Sequence, residues 1–237
     1  MTAKHAVVSH QEWLKARQEL LEKEKAFTHL REDLSRARRE LPWESVTAEY
    51  VFDGPTGRES LADLFAGASQ LIVYHFMFAP EASVGCPHCS FWADNFNGIV
   101  AHLRQRDVTF VAISRAPYEQ LAAYRRRLGW TFKWVSSGGT SFNFDYHVSF
   151  SPEDRAQKRA VYNYVQQDPG IGDREGVSVF ARDETGRIFH TYSTYARGID
   201  ILNTAYHYLD LVPKGRDENG RNQFWVRRHD EYPTAGT

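Results

Sequence analysis

The stretch LIVYHFMFAPEASVGCPHCSFWADNF (Leu71–Phe96) joins an apolar run to both cysteines of the chain, which stand two residues apart. Leu71 to Phe78 is too short and too apolar for a surface helix and reads as a central strand covered on both faces. Pro87 suits the first turn of a helix, where its missing N–H leaves no bond unmade, so a helix is expected from Pro87 to about Arg104. A structural disulfide stabilises by closing a loop, and the effect grows with loop length. The CPHC tetrapeptide closes almost none, so Cys86 and Cys89 read as chemistry.

Outward from that stretch, strands and helices alternate. Glu49–Phe52 reads as a strand, Asp53–Gly57 as a turn and Ser60–Phe65 as a short helix. Val108–Ile113 is the next central strand, Tyr118–Leu128 a helix closed by Gly129, and Thr131–Val135 a further strand. This alternation predicts an α/β core with parallel strands and right-handed crossovers. Ser136–Phe150 reads as a loop rich in Gly, Ser and aromatic residues, and Ser151–Gln167 as a helix. Val177–Arg182 and Arg187–Tyr195 flank Asp183–Gly186 as a hairpin. Ile199–Leu211 is a last amphipathic helix, and the tail beyond Pro213 is expected to be loosely held.

Upstream, residues 10–40 read as one long helix. Ser9 and Glu12 have capping-box spacing, and Trp13, Leu20, Phe27, Leu34 and Leu41 form a narrow apolar stripe on a charged helix. That stripe must lie against something, either its own domain or a second copy. The reading adopted is a helical arm at residues 1–42, one domain at residues 43–237, and a homodimer to which the long helix contributes.

The chain has 237 residues, 42% of them hydrophobic, and a formal net charge of −1. This is an ordinary globular composition, with no basic field to recruit nucleic acid or acidic lipid. The first residues turn charged at once and offer no signal-like apolar core, and Leu71–Ala79 is too short to cross a bilayer. A cytoplasmic protein with no membrane partner is therefore expected, in a compartment that keeps thiols reduced.

A CxxC between a buried strand and a helix is the setting of a redox dithiol. Cys86 falls at the helix N-cap, where free N–H groups and the positive dipole end favour its thiolate. His88 adds positive charge when protonated. Cys86 then attacks a disulfide as nucleophile, and Cys89, one turn deeper, resolves the mixed disulfide. Zinc needs four ligands and finds only two thiols, with no His-x(3–5)-His spacing nearby, so no metal or other cofactor is expected. A buried, inert CxxC is the bland alternative, and a redox sensor that switches a contact of the long helix is the non-enzymatic one.

Several runs carry a resemblance. LADLF, QLIVYHFMF, CPHCSFWAD, SRAPY, RRLGWTFKWVSS, FNFDY and FHTYSTYARG resemble the thioredoxin-like family catalogued as domain of unknown function 899, over nearly the whole chain. The resemblance implies a thioredoxin-like fold, with a mixed central sheet flanked by helices, and a dithiol–disulfide activity without a settled substrate. Pro80-Glu-Ala-Ser83-Val-Gly-Cys86 is also similar to the peroxiredoxin signature, with Ser83 at the matching offset and Pro80 one residue too close. A peroxiredoxin-like elaboration, with Cys86 attacking peroxide and a sulfenic acid resolved by a neighbouring thiol, is the rival activity. Either way the partners expected are a disulfide or peroxide substrate and an unidentified thiol reductant. The sequence departs from thioredoxin in having Gly85 before the first cysteine and no proline at Glu175-Gly176-Val177.

Other residues admit two readings each. His75 takes the place of thioredoxin's buried acid, as a proton acceptor for Cys89 or as a core histidine. Arg197 either holds a thiolate or polarises a peroxide, or it pairs with Asp200 or Asp210. The loop Phe142–Tyr146 is a candidate lid or groove wall, and the Trp130, Phe132, Trp134 alternation reads as a packed strand face. No nucleotide fingerprint is present.

Overall fold

Ser9 starts the longest element. Its hydroxyl accepts from the Glu12 N–H at 3.3 Å while the Glu12 carboxylate accepts from the Ser9 N–H at 2.9 Å. This reciprocal cap opens helix α1 (His10–Arg39) in the structure, a computed structural model that describes residues 5–233. Arg36, Arg38 and Arg39 lie in the last turn, at the negative end of the helix dipole. None of the residues of α1 is buried, and Trp13, Leu20, Phe27 and Leu34 are exposed. The chain divides into two compact units at Pro42 and Trp43, and α1 belongs to the first.

In the second unit, β1 (Glu44–Ser45), β2 (Val51–Gly54) and β3 (Gly57–Ser60) lead into α2 (Leu61–Leu64). The parallel part follows as β4 (Gln70–His75), α3 (Pro87–Ala93), α4 (Val100–Arg104), β5 (Val108–Ser114), α5 (Tyr118–Arg127) and β6 (Lys133–Ser136). Then come α6 (Phe142–Asp145), α7 (Pro152–Ala156), the hairpin β7 (Ala160–Tyr162) and β8 (Val165–Gln167), β9 (Gly176–Arg182), β10 (Ile188–Tyr195), a 3-10 turn at Ala196–Leu202, and α8 (Thr204–Leu209). Eight strands form one mixed sheet in the order β1-β10-β9-β4-β5-β6-β2-β3. β4, β5 and β6 are parallel, whereas β9 runs antiparallel to both β4 and β10. A parallel strand–helix–strand unit whose first strand also pairs with an antiparallel hairpin is the thioredoxin-like arrangement.

Period-two alternation divides the sheet into two faces. Ile72, Tyr74, Phe110, Ala112 and Trp134 face the cluster that contains Cys89, Phe91 and Trp92 of α3 and Leu121 and Tyr124 of α5. Leu71, Val73, Val111, Ile113 and Val135 face the cluster closed by Leu61 and Leu64 of α2 and Phe142 of α6. Both crossover helices lie on the same face, as two successive right-handed crossovers in one direction require.

Four expectations need correction. The helix expected from Pro87 to Arg104 breaks after Ala93, where the Asn95 side chain bonds the Phe91 and Trp92 carbonyls at 2.8 and 3.0 Å and competes with the backbone ladder. The helix expected over Ser151–Gln167 stops at Ala156 and gives way to β7 and β8, joined by Asn163 and Tyr164 at φ 50 and 65. Two consecutive positive φ values are those of a type I′ hairpin turn. The last helix is split by the 3-10 turn before α8. The tail beyond Pro213 is held within the described residues: Val226 is buried and Trp225 packs edge-on against Phe91 at 5.3 Å.

Candidate active site

The apolar strand β4 runs straight toward the cysteines. Beyond its end, the Cys86 N–H donates to the Met77 carbonyl at 3.1 Å, and the Met77 N–H donates to Cys89 Sγ at 3.4 Å. One residue of extended backbone therefore fixes both cysteines. Cys86 is the N-cap of α3 with Pro87 in the first turn, as expected, and both sulfurs are free thiols. Cys86 is half-buried and Cys89 fully buried.

Gly85 is required by close approach. A Cβ there would lie 2.8 Å from Phe76 Cε1 and 3.0 Å from Tyr124 Cε1, both on buried rings. The turn is then clamped from a distance. Arg228 donates to the Gly85 carbonyl at 2.6 Å and to the Tyr124 hydroxyl at 2.7 Å. Tyr124 and Ser90 share a 2.9 Å hydrogen bond, and Ser90 Oγ donates to the Cys86 carbonyl at 2.9 Å.

The two thiols differ electrostatically. Hydrogen bonding from the Cys89 thiol, opposed by burial and helped to a lesser degree by the His88 imidazole, holds Cys86 well below the ordinary thiol range. Burial is the largest cause pushing Cys89 well above it, with the Cys86 and Glu175 charges adding to the effect. His88 is raised above the usual imidazole value, first by its hydrogen bond to Cys86. A half-buried thiolate beside a protonated inner thiol is the polarity that nucleophilic attack followed by resolution needs.

The cysteines open onto a cavity of about 290 Å³ whose floor includes Tyr74, Met77 and Trp92, with Arg174, Glu175 and Arg197 in its wall. Arg197 thus reaches the cavity, but its Nε is paired with Asp200 at 2.7 Å and the side chain is largely exposed. Ser83 is exposed and outside the cavity lining. His75 is not brought to the cysteines. It points to the other face of the sheet, tilted against Phe142 at 5.7 Å and stacked on Tyr146 at 6.2 Å, with Nε2 2.9 Å from Ser178 Oγ. Burial lowers its pKa to about 3, so it is a neutral core histidine and no proton acceptor for Cys89. Phe142 is likewise a core residue, not a groove wall.

Glu175, Tyr74 and the carboxy-terminal clamp were not singled out from sequence. Glu175 stands immediately before β9, and a lone carboxylate at a strand start carries no signal of a role in the sequence. The peptide bonds of the described residues are all trans.

The chain belongs to the family described as "Bacterial protein of unknown function (DUF899)", which it matches over residues 2–232. No curated protein matches it. Among solved structures it is similar to peroxidoxin BcpB of Mycobacterium tuberculosis, at 13% identity and TM-score 0.45, covering 69% of this chain and 94% of that one. It is also similar to peroxiredoxin Q of Xanthomonas campestris, at 14% identity and TM-score 0.47, covering 73% and 99%. A Chlorobium tepidum chain named for the thiol:disulfide interchange protein DsbE is similar at 14% identity and TM-score 0.40, covering 71% and 95%. Among the described residues, no group of three or more His, Cys, Asp or Glu side chains is placed to hold a metal ion, and no helix is long and apolar enough to cross a membrane.

Proposed function

We propose that this protein is a dithiol–disulfide oxidoreductase with Cys86 as nucleophile and Cys89 as resolving cysteine. The observation that carries the reading is the placement of the two free thiols at the start of α3, Cys86 half-buried at the N-cap and Cys89 buried beneath it against the Met77 N–H, with Cys86 held below and Cys89 above the ordinary thiol range. In the forward step the Cys86 thiolate attacks a substrate disulfide, a Cys86–substrate bond forms, and one substrate thiolate leaves. Cys89 then gives up its proton and attacks Cys86 Sγ. The intramolecular disulfide forms and the second substrate thiolate leaves, so the protein dithiol is oxidised as the substrate disulfide is reduced to two thiols. Glu175, in the wall of the same cavity, is the carboxylate positioned to take the Cys89 proton. An external thiol, whose identity the chemistry leaves open, returns the protein to the dithiol. Ser83 lies outside the cavity lining, which lends nothing to the peroxidase alternative.

Trapping tests this reading. Cys89→Ser incubated with 2-hydroxyethyl disulfide accumulates a covalent adduct at Cys86, read by intact mass, whereas Cys86→Ser accumulates none. An adduct-free Cys89→Ser protein, or equal labelling of both variants, contradicts the assignment.

A further inference from the structure

Tyr74 is a residue of the site whose chemistry the proposed cycle leaves unused. It lies on β4, its side chain is fully buried, and it forms part of the floor of the cavity onto which Cys86 and Cys89 open. Its hydroxyl has no hydrogen-bond partner. A buried hydroxyl without a partner carries a desolvation cost that a plain Phe would avoid, so its presence on this wall calls for an acceptor that exists in some other state of the site. The dithiol state holds Cys89 as a thiol, a weak acceptor. A thiolate at Cys89 is a strong one, and the Tyr74 hydroxyl lies near enough that charge on Cys89 acts on it directly. The Met77 N–H already donates to the same sulfur.

We infer that Tyr74 is a positioning residue that donates a hydrogen bond to the Cys89 thiolate as that thiolate forms, and so sets the rate at which the mixed disulfide at Cys86 is resolved. The inference rests on the dithiol reading above. The phenol acts as a donor throughout, because burial and the Cys89 charge hold its proton in place. The other ionisable groups around the cavity are Cys86 and His88 from α3, Arg174 and Glu175 before β9, and Arg197 and Asp200 from the 3-10 turn. Of these, Glu175 opposes charge on Cys89, which is the reason a donor at this place matters. Two donors on one sulfur favour the thiolate over the thiol, and the gain appears only after the first disulfide exchange has removed the Cys86 charge.

The test is a single turnover of reduced protein with 2-hydroxyethyl disulfide, quenched in acid and read by intact mass. Tyr74→Phe keeps the ring and removes only the unpartnered hydroxyl. The expected result is a mixed disulfide at Cys86 that forms at the parental rate and decays at least about tenfold more slowly, equivalent to about 1.4 kcal/mol. The pH midpoint of the decay should also move upward, because Cys89 ionises later. A purely structural tyrosine moves neither the midpoint nor the ratio of the two steps. Resolution at the parental rate with an unshifted midpoint overturns the inference while leaving the dithiol reading intact. The absence of any Cys86 adduct in parent and variant overturns both. Should Tyr74→Phe fail to fold, 3-fluorotyrosine at position 74 keeps the packing and sharpens the donor. Faster resolution is then expected, and an unchanged rate is the contrary result.

Discussion

His88 and His75 carry opposite lessons about what a histidine does. His88 stands beside the Cys86 sulfur, and the hydrogen bond between them lowers the Cys86 pKa and raises that of His88. His88→Gln removes the nearest cation, so the Cys86 pKa rises and the reduced form loses stabilisation. Each pKa unit is worth about 1.4 kcal/mol, or about 30 mV for this two-electron couple. Equilibration with glutathione should therefore give a potential a few tens of millivolts more reducing, with the difference shrinking at high pH, where His88 of the parent is neutral. An unchanged potential at neutral pH would assign the tuning to Cys89 and the helix terminus alone. His75 works through stability. Its folded pKa is depressed to about 3 by burial, so between that value and about 6.5 the unfolded state binds the extra proton. The stabilisation is present above the unfolded value and is lost as pH falls, at up to about 1.4 kcal/mol per pH unit. Denaturant titrations of parent and His75→Gln from pH 7 to pH 4.5 should show a flatter dependence in the variant, and parallel curves would contradict this account. Sequence alone placed Cys86, Pro87 and Cys89 because their spacing is their chemistry. It could not choose between the two readings of His75, since which face of β4 the residue takes depends on where the strand begins.

At the scale of elements, α3 is held as much by the chain's distant carboxy-terminal segment as by its own cap. Cys86 supplies no side-chain cap bond, and the turn before it is secured by Arg228, Tyr124 and Ser90. Arg228→Gln breaks the charged bond to the Gly85 carbonyl, and hydrogen bonds to charged groups are worth about 1.5–3 kcal/mol. We expect a destabilisation of that order in denaturant melts, together with faster amide exchange at Gly85 and Cys86. Exchange unaltered at the turn would show that the clamp is incidental. Gly85→Ala attacks the same turn from inside, because the new methyl meets Phe76 and Tyr124; overpacking of this kind costs about 1–3 kcal/mol, measurable in the same melts. The strands β4, β5, β9 and β10 were legible from period and length. The β7–β8 hairpin was not, because its turn is Asn163-Tyr164 and not one of the usual Gly-containing pairs. The clamp was invisible for a different reason: a polar tail gives no periodic signal, and Arg228 meets Gly85 across 143 positions.

The whole molecule joins a thioredoxin-like unit to a long charged helix whose apolar residues recur every seven positions from Trp13 to Leu41. A repeat of that period suits a helical partner, and we propose a second copy of this chain in that role. Sedimentation of the full-length protein at micromolar concentration should give a dimer, and a monomer would remove the proposal. The fold class was readable because a buried strand, a CxxC and a helix occur in that order, and few architectures accommodate the sequence. The arm boundary was placed at Pro42 because a proline follows a capped helix, while the partner of the helix had no signal beyond its stripe. The central claim is that Cys86 is a stabilised thiolate and Cys89 a buried resolving thiol. Site-resolved iodoacetamide labelling of the reduced, folded protein as a function of pH tests it most directly. The account predicts labelling at Cys86 with a midpoint well below the ordinary thiol value of about 8.5, and Cys89 unlabelled until the protein unfolds. An inert Cys86, or a midpoint at or above that value, would contradict it.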